Sequence, residues 1–417
     1  MNSLTSRHFI AFFIMILLPF SLTGCWSNQD INDLAIINVL GIDQNEAGEF
    51  VVSAVIANQS NQSSFEKNGQ GNSGTSNFLI KTSTGTSIHE AMGTLSASIS
   101  KRIYLGHVNN IIFGEKVALN KMGESLDYFR RENDFRPNIR ILVTKGLAVD
   151  FIKVKPQLEE NLGLALHDLF EENRYAETHM VRDISQFMKA FSSNTADPVT
   201  AEVGAVKNIQ QPLSNESSTS AENAKKANDT VQSDIGIKGT AVFKGEKLAG
   251  WLDERETRGL LWVNGEVDRG IVVVGCDEKE NGTVTLELGK SDSQLIPHFS
   301  KDKVEMTVKI HADAVIRNVT CPNFQMSSSQ IERLNKRFEN LVKREVISAI
   351  VKAKDQWQAD IFGFGEAIYR KDPMKWDQLS KEWRTGRLRD TEVQLKVATN
   401  ISRYGLQENP MKANESR

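Results

Sequence analysis

The sequence predicts a mixed α/β (α+β) protein with several β-sheets flanked by helices. Three observations predict it. Strand and helix patterns alternate from about Asn32 to Thr144, an apolar stripe at helical spacing runs from Ser329 to Asp360, and further strand patterns lie on both sides of that stripe.

In order, Asn32–Asp43 and Phe50–Ile56 are apolar runs around a turn at Asn45–Gly48, which reads as a hairpin. Phe78–Ser83 is a further strand. Thr86–Arg102 places Ile88, Met92, Leu95 and Ile99 at helical spacing, Gly106–Gly114 has the length of a buried strand, Lys116–Arg131 reads as one helix and Asn138–Thr144 as another strand. This alternation belongs to an α/β sheet but does not by itself show that the strands are parallel.

Beyond residue 236, Lys238–Leu252 gives two short strands about a Lys-Gly-Glu turn. Ile271–Val274 is a short strand, and Val304–Ile316 alternates as a half-buried one. Ser329–Asp360 then forms a long amphipathic helix carrying Ile331, Leu334, Phe338, Leu341, Ile347, Ile350, Val351 and Trp357, with Ser329 and Glu332 at capping-box spacing. Glu392–Ala398 is the last strand.

Two polar tracts punctuate this order. Residues 60–77 and 213–236 are rich in Ser, Asn, Gln, Gly and Lys, with too few apolar side chains to offset the entropy of ordering them. The expected organisation is therefore a leader over 1–24, an N-terminal α/β region over 25–212 with a polar loop at 60–77, and a linker over 213–236. A C-terminal α+β region over 237–405 follows, in two subdomains (about 237–300 and 301–405), with a polar tail over 406–417.

The leader has the chemistry of an export signal. Arg7 precedes an apolar run, Phe9–Phe20, that is too short to span a bilayer as a helix. Leu22-Thr-Gly-Cys25 follows at once and resembles the bacterial lipobox. That resemblance implies cleavage before Cys25, with a diacylglycerol thioether and an N-acyl chain on it. Two or more chains make a stable tether where one is marginal. Loss of residues 1–24 would remove one of the 50 basic and none of the 53 acidic side chains, leaving a formal charge of −4. So balanced a chain does not point to nucleic acid or an anionic membrane face as its ligand.

Cys276 and Cys321 both flank predicted strand ends in a chain expected to be exported, where disulfides persist. They are either bridged, closing a loop worth about 3–4 kcal/mol, or two separate buried thiols.

Motifs for catalysis are scarce. Gly69-Gln-Gly-Asn-Ser-Gly74 matches G-x-G-x-x-G, but it lies in a polar tract with no helix to receive a pyrophosphate. The seven histidines are scattered, without H-E-x-x-H, and there is no C-x-x-C, so no metal or cofactor is expected. His107 reads as a hydrogen-bonded histidine at the start of a buried strand. The acids of Asp253–Thr257 read as a solvated, salt-bridged turn, and Trp251, Trp262, Trp357, Trp376 and Trp383 as core or groove packing. No enzymatic activity is expected.

Several strings together resemble the C-subunit lipoproteins of bacterial spore germinant receptors, the Ger(x)C family. They are Leu22–Trp26 with Leu34–Asp43, Lys101–Glu115 with Phe129–Arg136, and then Gly239–Leu252, Glu256–Trp262 and Asp360–Glu366. The resemblance implies a three-domain protein on the outer surface of the spore inner membrane, partnered by integral-membrane A and B subunits in a nutrient receptor. A lipoprotein solute-binding component of a transporter is the alternative; neither an internal repeat nor a cleft signature supports it. Glycines in Gly239–Leu252, and Phe362 and Phe364 near Trp376, mark a candidate contact surface for membrane partners.

Overall fold

The structure is a computed structural model that describes residues 30–57, 78–156, 159, 161–171, 179–207, 233–277, 280–300, 303–322, 324 and 326–402. Residues 1–24, Cys25, the 60–77 loop with Gly69–Gly74, most of the expected linker and the tail lie outside these residues.

The first strands, β1 (Leu34–Gln44) and β2 (Phe50–Ala57), pair antiparallel as the sequence predicts, and β3 (Phe78–Gly85) adds to β2. Helix α1 (Ile88–Ala97) starts where the Ser87 side chain accepts from the Glu90 N–H. Next come β4 (Arg102–Tyr104), β5 (Asn110–Gly114), α2 (Glu115–Asn120), α3 (Met122–Arg131) and β6 (Arg140–Thr144). The single helix expected over Lys116–Arg131 is thus two, broken where Lys121 leaves helical geometry at φ −133°. After α4 (Ala148–Ile152), α5 (Leu162–Glu171), β7 (Arg182–Asp183) and α6 (Ile184–Phe191), strand β8 (Val199–Lys207) returns to the sheet.

β9 (Ser233–Lys244) and β10 (Lys247–Leu252) complete this ten-stranded sheet, in the order β10-β9-β8-β6-β5-β1-β2-β3, with β4 beside β1 and β7 beside β6. Its centre is parallel, β5 lying between β1 and β6, and β6 between β5 and β8. Every residue of β5 is buried. Ile111 and Phe113 point to the layer of α1, α3 and α6, and Ile112 to the layer of α4 and α5. Parallel strands covered on both faces read as continuous apolar runs for this reason.

Helix α7 (Glu254–Asn264) leads to the second sheet, β11 (Ile271–Asp277), β12 (Glu280–Ser300), β13 (Lys303–Val319) and β14 (Glu392–Ser402), in that order. Between β13 and β14 lie α8 (Ser328–Ile350), α9 (Phe364–Lys371), α10 (Pro373–Glu382) and α11 (Leu388–Asp390). Helix α8 is the long amphipathic helix of the sequence reading, burying Leu334, Phe338, Val342, Val346 and Ala349. Its cap is Ser327, which accepts from the Gln330 N–H, rather than Ser329. Beyond Ile350 the chain widens into a π-helix that stops at Gln358, φ 53°.

The pairings run across the expected divisions. β9, which begins inside the expected 213–236 tract, pairs with β8 of the first sheet, and β10 pairs with β9, so this tract interrupts a sheet instead of separating two. The boundary near 300 falls in the β12–β13 hairpin, where Ser300 pairs with Lys303. One apolar core joins Val199, Val242 and Leu252 of the first sheet to Trp262, Phe338, Phe364 and Trp383 of the C-terminal layer.

Candidate functional site

Cys25, the residue on which the lipid reading rests, lies outside the described residues. The other two cysteines meet. Cys276 is the penultimate residue of β11 and Cys321 follows β13, and they form a disulfide with Cα atoms 5.8 Å apart. Both are buried. Gly282 makes room beside them: at φ +127°, a Cβ there would lie 2.9 Å from the Cys276 Sγ.

Phe362 and Phe364 are corrected by their surroundings. They are 4% and 0% exposed, stack on each other with centroids 5.3 Å apart, and belong to the core. Phe364 cannot meet a partner, and Phe362 reaches only the wall of a shallow depression of about 220 Å³, lined also by Arg182, Gln186, Asp197 and Asn264. The glycines offered for close approach are also used internally. A Cβ on Gly239 would lie 2.0 Å from the Leu252 carbonyl oxygen, one on Gly250 2.3 Å from the Trp357 ring, and one on Gly365 2.7 Å from the Thr195 carbonyl oxygen.

What organises Asp360–Glu366 is a buried carboxylate. Asp360 is fully buried; its Oδ1 accepts from the Phe364 N–H (2.9 Å), and its Oδ2 accepts from the Gly365 N–H (2.7 Å) and the Trp383 indole N–H (2.8 Å). The Asp360 N–H donates to Asp197 Oδ2 at 2.8 Å, and the Asp197 N–H returns a bond to the Asp360 carbonyl. Asp197 Oδ1 accepts from the Gly245 N–H and lies 3.0 Å from Arg384 Nε, while Arg384 Nη2 donates to the carbonyls of Ser193 and Ala196. The Thr195 hydroxyl donates to Glu366. Burial pushes the Asp360 carboxyl up to about 6, against the pull of its three hydrogen bonds, and neighbouring Asp197 adds to the rise. This node fastens the segment before β8 to the C-terminal helices; it offers no open position to a substrate.

A second node lies between α7 and α8. Arg258 forms a bidentate pair with Glu345, whose Oε2 also accepts from the Trp262 indole N–H at 3.0 Å. Glu256 takes Lys352 and the Ser348 hydroxyl. The solvated turn expected at Asp253–Thr257 is instead the first turn of α7: Asp253 and Glu256 form a capping box and Glu256 is 6% exposed. His107 differs too, being exposed, with its ring 5.5 Å from that of Tyr104. Trp262, Trp376 and Trp383 are buried, and Trp251 and Trp357 partly so. At the far end of β1, the buried Asp43 accepts from the N–H groups of Ala148 and Val149; burial pushes its carboxyl up while these bonds pull it down.

Among the described residues no group of three or more His, Cys, Asp or Glu side chains is placed to hold a metal ion, and no helix is long and apolar enough to cross a membrane.

Comparison with known proteins bears on the chain over nearly its whole length. Residues 27–205 match the family described as spore germination protein N-terminal domain, and residues 238–405 the family described as spore germination B3/GerAC like, C-terminal. Spore germination protein KC of Bacillus subtilis (strain 168) is 27% identical, covering 96% of both chains. Spore germination protein B3 of the same organism is 24% identical over 91% of this chain and 93% of its own. The crystal structure of the GerBC protein has the same fold, at a TM-score of 0.54 and 19% identity, covering 87% of this chain and 96% of that one. With both halves matched in order, the chain belongs to the GerAC-like, or Ger(x)C, family of spore germination proteins.

Proposed function

We propose that this protein is the lipid-anchored C subunit of a nutrient germinant receptor, needed for receptor assembly and for triggering germination. The observation that carries this reading is the family match over 27–205 and 238–405, beginning two residues after the lipobox cysteine. The role is non-enzymatic. Diacylglycerol and N-acyl chains on Cys25 hold the chain to the outer face of the spore inner membrane, and integral-membrane A and B subunits of the same receptor are its partners. Buried nodes that fasten one layer to another, as at Asp360 and Glu345, suit a subunit that presents a fixed surface to others.

The test is co-purification of the full chain from spore membranes, with metabolic labelling by a fatty-acid analogue. The expected outcome is a labelled protein that brings two integral-membrane proteins with it. Cys25→Ala should lose the label, leave the membrane or remain as precursor, and impair nutrient-triggered germination. Unchanged labelling in Cys25→Ala would overturn the anchor, and recovery with a transporter permease would overturn the receptor role.

A further inference from the structure

The short tether and the exposed apolar residues nearest to it bear on which part of the protein meets the bilayer. Cys25 and Ile31 are six residues apart, so the chain between them reaches at most about 20 Å. Ile31 is 61% exposed, in the short 3-10 turn that leads into β1. Two more large exposed side chains lie at the same end of the first sheet. Leu79 of β3, 49% exposed, is opposite Ile56 of β2, and Ile56 is opposite Ile37 of β1. On the other side of β1, Ile36 is opposite Tyr104 of β4, which is 37% exposed. Ile36 and Ile37 face opposite sides of the sheet, so Leu79 and Tyr104 lie on the two outer strands of this four-stranded end, about 14 Å apart across the strands and on opposite faces, with the chain from Cys25 entering beside them.

Tyr104 is held in place. Gly106 lies under its ring, where a Cβ would come within 2.7 Å of the hydroxyl, and the His107 ring packs against it. Lys101 and Arg102, both exposed, flank it, and the exposed Asp30 and Asp33 beside Ile31 balance their charge. An aliphatic and aromatic rim with long basic side chains and no net charge fits the interfacial layer of a bilayer, where tyrosine rings settle and lysine and arginine extend toward the headgroups. The opposite end of β1, where Leu119 and Leu147 are 40% and 41% exposed, lies farther from the tether. The turn beyond Gln44 carries Glu46, whose side chain is 93% exposed, about 34 Å farther along the strand.

We infer that the rim formed by Ile31, Leu79 and Tyr104 is a lipid-contacting surface that seats the first sheet end-on against the membrane. This rests on the Cys25 anchor of the proposed function. It adds a second, non-covalent contact that fixes the orientation of the protein, so that the Glu46 turn points away from the bilayer.

The test uses the full lipidated chain in phosphatidylcholine vesicles. With Cys25 acylated and Cys276 and Cys321 bridged, one introduced cysteine is the only free thiol, so Ser100→Cys and Glu46→Cys each take a single fluorescent probe. Flotation is read first, then quenching by nitroxide-bearing lipids. The Ser100 probe should lose most of its emission and the Glu46 probe retain it, equally in neutral and anionic vesicles because the rim charges cancel. Ile31→Ser, Leu79→Ser and Tyr104→Ser together should abolish quenching at Ser100 without affecting flotation; all three residues are exposed, so folding is kept. Failure to float overturns the anchor and this inference together. Flotation with Ser100 unquenched, with quenching only in anionic lipid, or with Glu46 quenched as strongly as Ser100, overturns the inference alone. A Ser100 probe shielded from aqueous iodide but untouched by lipid quenchers would mean that a protein covers the rim, and would also overturn it.

Discussion

Asp360 and Glu345 lie in the same layer of the molecule, 0% and 6% exposed, and each accepts from a tryptophan indole N–H. They differ in what else they hold. Glu345 faces a guanidinium carried on another helix, a side-chain pair that apolar side chains of similar volume can replace. Asp360 holds the backbone N–H groups of Phe364 and Gly365 at the start of α9, and backbone donors cannot be mutated away. A buried carboxylate can therefore be an exchangeable ion pair or a fixed part of the chain's own hydrogen bonding, depending on its partner.

The largest expected effect separates the two. Asp360→Ala leaves three buried donors without acceptors, at about 1–3 kcal/mol each, for a loss of about 5 kcal/mol. Denaturant unfolding should show this as a greatly lowered midpoint, and no second-site apolar substitution should restore it. Restoration by enlarging a neighbouring side chain would show that Asp360 acts mainly by filling space.

Glu345→Leu should lose somewhat less, about 3–4 kcal/mol, since it strands the Arg258 charge. Adding Arg258→Met should recover most of that, leaving about 1–2 kcal/mol for the orphaned Trp262 N–H. If the double variant is no better than the single one, the α7–α8 pair is not exchangeable and the contrast with Asp360 fails.

The next effect is the pH dependence of the Asp360 node. Asp360 titrates near 6 in the fold against 3.8 unfolded, so the folded state binds the proton more tightly. Its contribution is fully present below about pH 4 and is lost as pH rises through about 6, a fall on the order of 3 kcal/mol. Unfolding free energies measured from pH 4 to 7 should decline in the wild-type chain by more than in Asp360→Asn. Parallel profiles for the two would remove Asp360 as the source.

Much of the fold was legible because local pattern and tertiary role agree. β5 reads as a continuous apolar run because both its faces are covered, and the β1–β2 hairpin and α8 follow from their own periodicity. β12 was missed: its 21 residues contain Lys290, Asp292 and Gln294, and two bulges break the alternation. The nodes were not legible at all. Arg258 and Glu345 are 87 residues apart, and nothing near Asp197 marks it as the acceptor for Asp360, 163 residues away. Phe362 and Phe364 misled because an aromatic pair between glycines looks the same in a core as at an interface. The cysteine pairing stayed open because spacing alone does not bring two strand ends together.

The smallest expected effect concerns the glycine beneath the exchangeable node. Helices α7 and α8 approach so closely at Gly259 that a Cβ there would lie 2.2 Å from the Glu345 carbonyl oxygen and 3.1 Å from the Ala349 Cβ. Both neighbours belong to α8, so one helix must move away from the other, and Gly259→Ala should cost about 2 kcal/mol through overpacking, less whatever alanine gains as the better helix former. The displacement would also lengthen the Arg258–Glu345 pair, whereas the Asp360 node, built on the backbone at the start of α9 and the Trp383 indole, should keep its geometry. Amide exchange reads the two nodes separately. Faster exchange of the Trp262 indole proton, with the Trp383 indole proton unchanged, is the expected pattern. Equal acceleration of both would mean that the C-terminal layer yields as one unit and that the two carboxylates are not independent.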